Sequence, residues 1–181
     1  MTKRSYEPIT DEHLARLGAL AAKDRLRFEK TRPEYRRRHL ATVLAQGAAL
    51  HFMDGKNGVK DLDVWSFYAL IPSTKWPADR RNVHVDFGPS SLGRQKYNLR
   101  EAQNERSRRW MEKAAQYEGR RVDLLMRALP VGPRADPAAA ILDWLGKGQR
   151  RGRGSAWFLS QKAVVLIDPA PRRGEVLWPV D

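Results

Sequence analysis

Leu14, Leu17, Ala21 and Phe28 recur at helical spacing behind Thr10, a good N-cap, with Asp11 and Glu12 in the first turn. The pattern predicts a helix that ends before Pro33. A second helical turn is expected from Glu34 through Arg36, Arg37 and Arg38. Leu40 to Leu44 reads as a short strand, followed by a turn at Gly47 and a helical turn from Ala48 to Phe52. Asp54-Gly55-Lys56-Asn57-Gly58 is a loop by composition and leads into an apolar strand from Asp61 to Ile71, ended by Pro72. Asn82 to Phe87 alternates as a strand and stops at Gly88-Pro89.

Leu99 to Tyr117 reads as one highly charged helix closed by Gly119 at its C-terminal end, and Arg121 to Leu129 as a strand ended by Pro130. A short helix is expected from Asp136 or Pro137 through Leu145. The glycine- and arginine-rich segment Gly146 to Gly154 then reads as a mobile surface loop, and Ala156 to Leu159 with Ala163 to Ile167 as a hairpin or one bent strand. Mixed strands and helices in this order imply an α/β (α+β) chain with a small mixed sheet flanked by helices. One domain over 1–181 is expected, made of an N-terminal helical extension (1–39), a core (40–129) and a C-terminal helix with strands (130–181).

The 181 residues and 41% apolar content suffice for a proper core. The 34 Lys and Arg against 21 Asp and Glu, a formal net charge of +13, favour a polyanionic partner such as nucleotide or nucleic acid. The absence of cysteine excludes a disulfide framework and thiolate metal ligands. The opening Met-Thr-Lys-Arg-Ser-Tyr-Glu-Pro lacks the apolar core of a signal peptide, and no apolar run approaches a membrane span, so a cytoplasmic protein is expected.

The chemistry concentrates in Asp61-Leu62-Asp63-Val64. Successive strand residues alternate faces, so both carboxylates point the same way. Two like charges side by side are costly unless a cation neutralises them, and a divalent metal does so directly. Two later acids flanked by apolar residues, Asp123 in Val122-Asp123-Leu124 and Asp86 in Val85-Asp86-Phe87, are candidates for a third ligand.

Gly47-Ala48, a spacer of twelve residues from Ala49 to Lys60, the Asp61-Leu62-Asp63 strand and a later acid at Asp123 together resemble the nucleotidyltransferase superfamily, in its polymerase-beta-like, minimal form. The resemblance covers roughly Leu40 to Leu129. It implies a nucleotidyltransferase-like fold and transfer of a nucleoside monophosphate from a nucleoside triphosphate to an acceptor hydroxyl. Asp61, Asp63 and Asp123, with Asp86 as the alternative third acid, would hold Mg²⁺ or Mn²⁺ and act catalytically. Gly47, Ala48 and Lys60 would meet the nucleotide, with Lys56 a further candidate for the leaving pyrophosphate. The chain departs from the family in having Ala48 where a serine is usual, which removes a hydroxyl from the phosphate end.

Other readings stand beside this one. Asp61 and Asp63 could be surface acids paired with Lys60 or an arginine, and Asp123 could pair with Arg120 or Arg121. Trp65 shares a face with the acids, where core packing competes with base stacking. The four histidines show no zinc spacing, His84 reads as surface or capping, and neither a Gly-x-Ser-x-Gly elbow nor a P-loop appears. Arg150, Arg151 and Arg153, unaccompanied by acids, are the candidate nucleic-acid contacts. They support the alternative of a non-catalytic basic nucleic-acid-binding module on the same fold; a partner protein is the remaining class of partner, and no membrane is expected.

Overall fold

The computed structural model describes residues 6–180; the start of the signal-peptide reading, residues 1–5, lies outside them. The first helix, α1 (Asp11–Thr31), begins where the sequence says, because Thr10 and His13 form a reciprocal cap: the Thr10 hydroxyl accepts the His13 amide and the His13 ring accepts the Thr10 amide. After α1 only the 3-10 turn Pro33–Tyr35 forms, not a helical turn through the arginines. Arg37 instead takes a left-handed conformation (φ 63°) and turns the chain into β1 (His39–Ala45).

From β1 the chain enters α2 (Gln46–Asp54) directly. Here the left-handed residue is Gln46 (φ 63°) rather than the expected Gly47. The strands β2 (Leu62–Ala69), β3 (Asn82–Asp86) and β4 (Arg121–Leu129) follow closely where the apolar runs place them. The expected single helix over Leu99 to Tyr117 is broken into the turn Leu99–Glu101 and α3 (Glu105–Ala114), since Asn104 caps α3 in a box with Ser107. Gly119 is not its cap. It lies where β4's approach crosses the backbone of Gly88, and any side chain there would overlap that backbone.

The C-terminal third departs most from the pattern reading. The helix α4 (Pro137–Arg151) continues through the glycine- and arginine-rich segment expected to be a mobile loop, and Ala156 to Leu159 belong to a helix, α5 (Gly154–Ser160). The reason is tertiary: α4 and α5 cross in contact at Gly148, which is buried against Ala156 and Trp157, so the segment is held by packing. Only then come β5 (Val164–Asp168) and β6 (Val176–Trp178).

The strands form one six-stranded mixed sheet in the order β3-β4-β2-β1-β5-β6. The β2–β4 pair is parallel and its neighbours are antiparallel. On one face Leu14, Leu17 and Ala21 of α1 and Ala48 and Ala49 of α2 bury Leu62, Val64, Val122, Leu124 and Ile167. On the other, Ala138, Ile141 and Leu145 of α4 and Leu159 of α5 bury Val43, Trp65, Phe67, Leu129 and Leu166. Trp65 is therefore a core residue. A smaller aromatic cluster, Phe28, Tyr35, Tyr68 and Trp76, closes the far end of α1, and a bidentate Asp24–Arg81 ion pair ties the chain after β2 to that helix. The α/β expectation of a small mixed sheet flanked by helices is met, and among the described residues no helix is long and apolar enough to cross a membrane.

A methyl group at Gly148 would overlap Ala156 and the Trp157 amide, so α4 and α5 must separate to admit it. Gly148→Ala is therefore expected to destabilise by about 1–3 kcal/mol and to lower Tm by roughly 5 °C in thermal unfolding. An unchanged Tm would show that the helix crossing carries no stability.

Candidate functional site

Asp63 and Asp123 lie directly opposite each other in the parallel β2–β4 register, and Asp61 precedes β2 on the same side. One carboxylate oxygen from each of the three lies within 4.8 Å of the others. Strand alternation puts all three on the sheet face that α4 and α5 pack against farther along. The neighbouring β3 adds His84, whose register partner is Asp123 and whose Nδ1–H donates to Asp123 Oδ1 at 2.5 Å.

Arg121, two residues before Asp123 and so on its face, enters the cluster. Its guanidinium donates to Asp61 Oδ2 at 2.8 Å and to Asp123 Oδ2 at 3.1 Å, while lying over the Trp110 ring of α3 at 4.4 Å. Its Nε sits 2.9 Å from Asp123 Oδ1 yet makes no aligned hydrogen bond, and the nearby Tyr97 hydroxyl is likewise buried without a partner. The ion-pair readings of Asp61 and Asp123 thus hold for Arg121, whereas Arg120 turns away to the Leu92 carbonyl.

These contacts split the three acids electrostatically. Burial works upward on Asp123, but the His84 hydrogen bond and the Arg121 guanidinium outweigh it and hold the carboxyl below its ordinary range. Asp63 makes no ion pair among the described residues. Burial first, then the Asp61 and Asp123 carboxylates, push it up to about 7. The donor set is all carboxylate oxygen, which suits Mg²⁺ or Mn²⁺. A carboxyl raised by its like-charged neighbours is what a cation would relieve, so the residues fit such an ion.

Beside the acids lies a hollow lined by Gly47, Ala48 and Lys60 together with Gln46, Phe158 and Lys162. The α2 helix opens onto it without a side-chain cap, unlike α1, α3 and α4, which Thr10, Asn104 and Asp136 close. Its first-turn amides are available to an anion. Lys162 reaches over this turn from the end of α5, its Nζ 3.8 Å from where a Gly47 side chain would begin. Lys56 is not among the lining residues; its amide donates to the carboxylate of Asp54 at the end of α2.

Asp86 stands apart from the acids. Its carboxylate accepts the amides of Gly88, Glu118 and Gly119, joining two turns, and its register partner is Arg121. Asp123 is the third acid brought to the pair. Arg150 and Arg151 lie in the last turn of α4 and Arg153 just before α5, so none belongs to a loose loop.

Sequence reading missed His84, Lys162 and Phe158 as neighbours of the acids. For His84 the alternation gave the face but not the strand it would pair with. Nothing local marks Lys162 or Phe158, which arrive through the α5 packing. Comparison with protein-family models, curated proteins and solved structures finds no match for the chain.

Two outcomes follow from this electrostatic arrangement. Arg121→Gln removes the positive charge between Asp61 and Asp123, so a loss of about 3 kcal/mol is expected at pH 8 in EDTA, partly recovered on adding Mg²⁺. Equal melting with and without the ion would contradict this. For Asp63, whose carboxyl is near 3.9 when unfolded and about 7 when folded, the native state keeps a proton the unfolded chain has released. Its contribution is complete below the unfolded value and is lost as pH rises through about 7. In EDTA the wild type should lose roughly 5 °C of Tm relative to Asp63→Asn between pH 5 and pH 8, where parallel curves would refute the shift.

Proposed function

We propose that the protein is a metal-dependent nucleotidyltransferase, carrying a nucleoside monophosphate from a nucleoside triphosphate to an acceptor hydroxyl. The observation that carries this reading is the meeting of Asp61, Asp63 and Asp123 beside an uncapped helix start ringed by lysines.

On this reading the triphosphate lies in the hollow, its outer phosphates against the Gly47 and Ala48 amides and the Lys60 and Lys162 ammonium groups. Lys162 supplies there the polar contact that Ala48 lacks. Phe158, 57% exposed and lining the same hollow, offers a face for the base. A divalent ion held by Asp61, Asp63 and Asp123 supplies neutralisation of the phosphate charge that builds up during transfer. The acceptor oxygen forms its bond to the α-phosphorus as the bond to pyrophosphate breaks. The acceptor proton passes to a carboxylate of the cluster. His84 orients Asp123 by its hydrogen bond.

The ion pairs of Arg121 favour one competing reading, a non-catalytic basic nucleic-acid-binding module whose acids are already neutralised. The two separate in calorimetry with ATP, GTP, CTP and UTP, with Mg²⁺ or with EDTA. Nucleotidyl transfer predicts that at least one nucleotide binds only with the metal, that Asp63→Asn abolishes this binding, and that Lys162→Ala weakens it about tenfold, as loss of one charged phosphate contact does. Nucleotide binding indifferent to metal and to Asp63→Asn, or absent altogether, would dismiss the enzyme.

A further inference from the structure

The sheet face that carries the acids carries a second hollow farther along β4. Asp123, Leu125 and Arg127 alternate onto that face, placing Arg127 about 13 Å beyond Asp123 along the strand. Arg127, Trp76 and Asp79 line one side of the hollow. Trp144, Lys147, Arg151 and Arg153 line the other, on the last turns of α4 and its junction with α5. The Gly148 crossing fixes that wall, and the aromatic cluster around Trp76 fixes the first.

The hollow is strongly and incompletely compensated positive. Its one acid, Asp79, is engaged by Arg127 at 2.5 Å, and Lys147 pairs with Asp143 outside the lining. Arg151 and Arg153 are exposed and make no ion pair among the described residues. The Trp76 indole N–H in the wall, on a side chain 9% exposed, is buried without an acceptor. Past Trp76 and Asp79, which both hollows share, a neighbouring depression adds Lys75, Arg80 and Arg32. The positive surface is thus an elongated track, longer than one phosphate needs. At its other end α5 leads from the groove, at Gly154 to Ala156, to Phe158 at the nucleotide hollow.

We infer that this track binds a single strand of nucleic acid, with Arg151, Arg153 and Lys147 on successive phosphates. Guanidinium forks match phosphate oxygens, and the half-buried Trp144 at the border suits an unpaired base, which a duplex would keep stacked away from it. Resting on the nucleotidyl-transfer reading, the bound strand is the acceptor, running along the β4 face toward Asp61, Asp63 and Asp123. The strand's binding does not itself require the acids.

The test is fluorescence anisotropy with labelled oligo-U and oligo-dT of about twelve nucleotides and a duplex of equal length. It uses the full chain at about 0.1 M salt. Arg151→Glu/Arg153→Glu is compared with Lys23→Glu/Arg27→Glu, the same charge change on exposed positions of α1. The groove predicts that single strands outcompete the duplex. The first double variant should weaken them at least tenfold and lower the salt slope by about two, while the α1 variant changes affinity less than threefold. The RNA and DNA arms identify which backbone is preferred. Equal loss in both double variants, preference for the duplex, or no binding of either strand would overturn the groove, as would loss of the strand in Asp63→Asn. Melting curves establish that each variant is folded, and Arg151→Gln/Arg153→Gln repeats the test should the reversal unfold. Failure of metal-dependent nucleotide binding with strand binding intact would remove the acceptor role and leave the groove standing.

Discussion

Asp63 and Asp123 face each other across the parallel β2–β4 pair, and that juxtaposition of like charges constrains everything around it. Adjacent buried carboxylates must be neutralised by a proton or a cation. The chain supplies part of the answer itself. Arg121 arrives with Asp123 on the same strand, its guanidinium bridges Asp123 to Asp61, and Trp110 of α3 backs it. His84 of β3 takes the other side of Asp123. The peripheral β3 and α3 are thereby arranged around one electrostatic problem. Asp63 is left outside these pairings, its carboxyl pushed up by burial and its acidic neighbours.

The same register also separates the two ends of the β4 face. Near its start are the acids and the open turn of α2; near its end are Arg127 and the basic walls formed with α4. The short α5 connects them, and it lies there because Gly148 lets α4 accept it at contact distance. A helix pair that first looks accessory therefore places Lys162 and Phe158 at one hollow and Arg153 at the other.

Much of this was legible from residue order. Alternation put Asp61 and Asp63 on one face, located β4 from Arg121 to Leu129, and identified the capped start of α1. The choice between Asp86 and Asp123 was not legible, since both sit between apolar residues on strands; it depends on which acid stands opposite Asp63 and which turns to amides of the flanking turns. The glycine- and arginine-rich segment misled for a different reason. Its glycines weaken helix propensity, but by only about 1 kcal/mol each, its arginines and lysine favour a helix, and burial of Gly148 against α5 overrides the glycine cost.

Local pattern by itself determined the α/β class, most strand positions, the paired carboxylates and the excess of positive charge, because periodicity and composition act over a few residues. Tertiary structure decided that a third acid, an arginine and a histidine join that pair, that α5 is a helix, and that the cations border two hollows on one face. Those outcomes depend on strand register and helix crossing between segments tens of residues apart, where the energy lies in contacts that no short window contains.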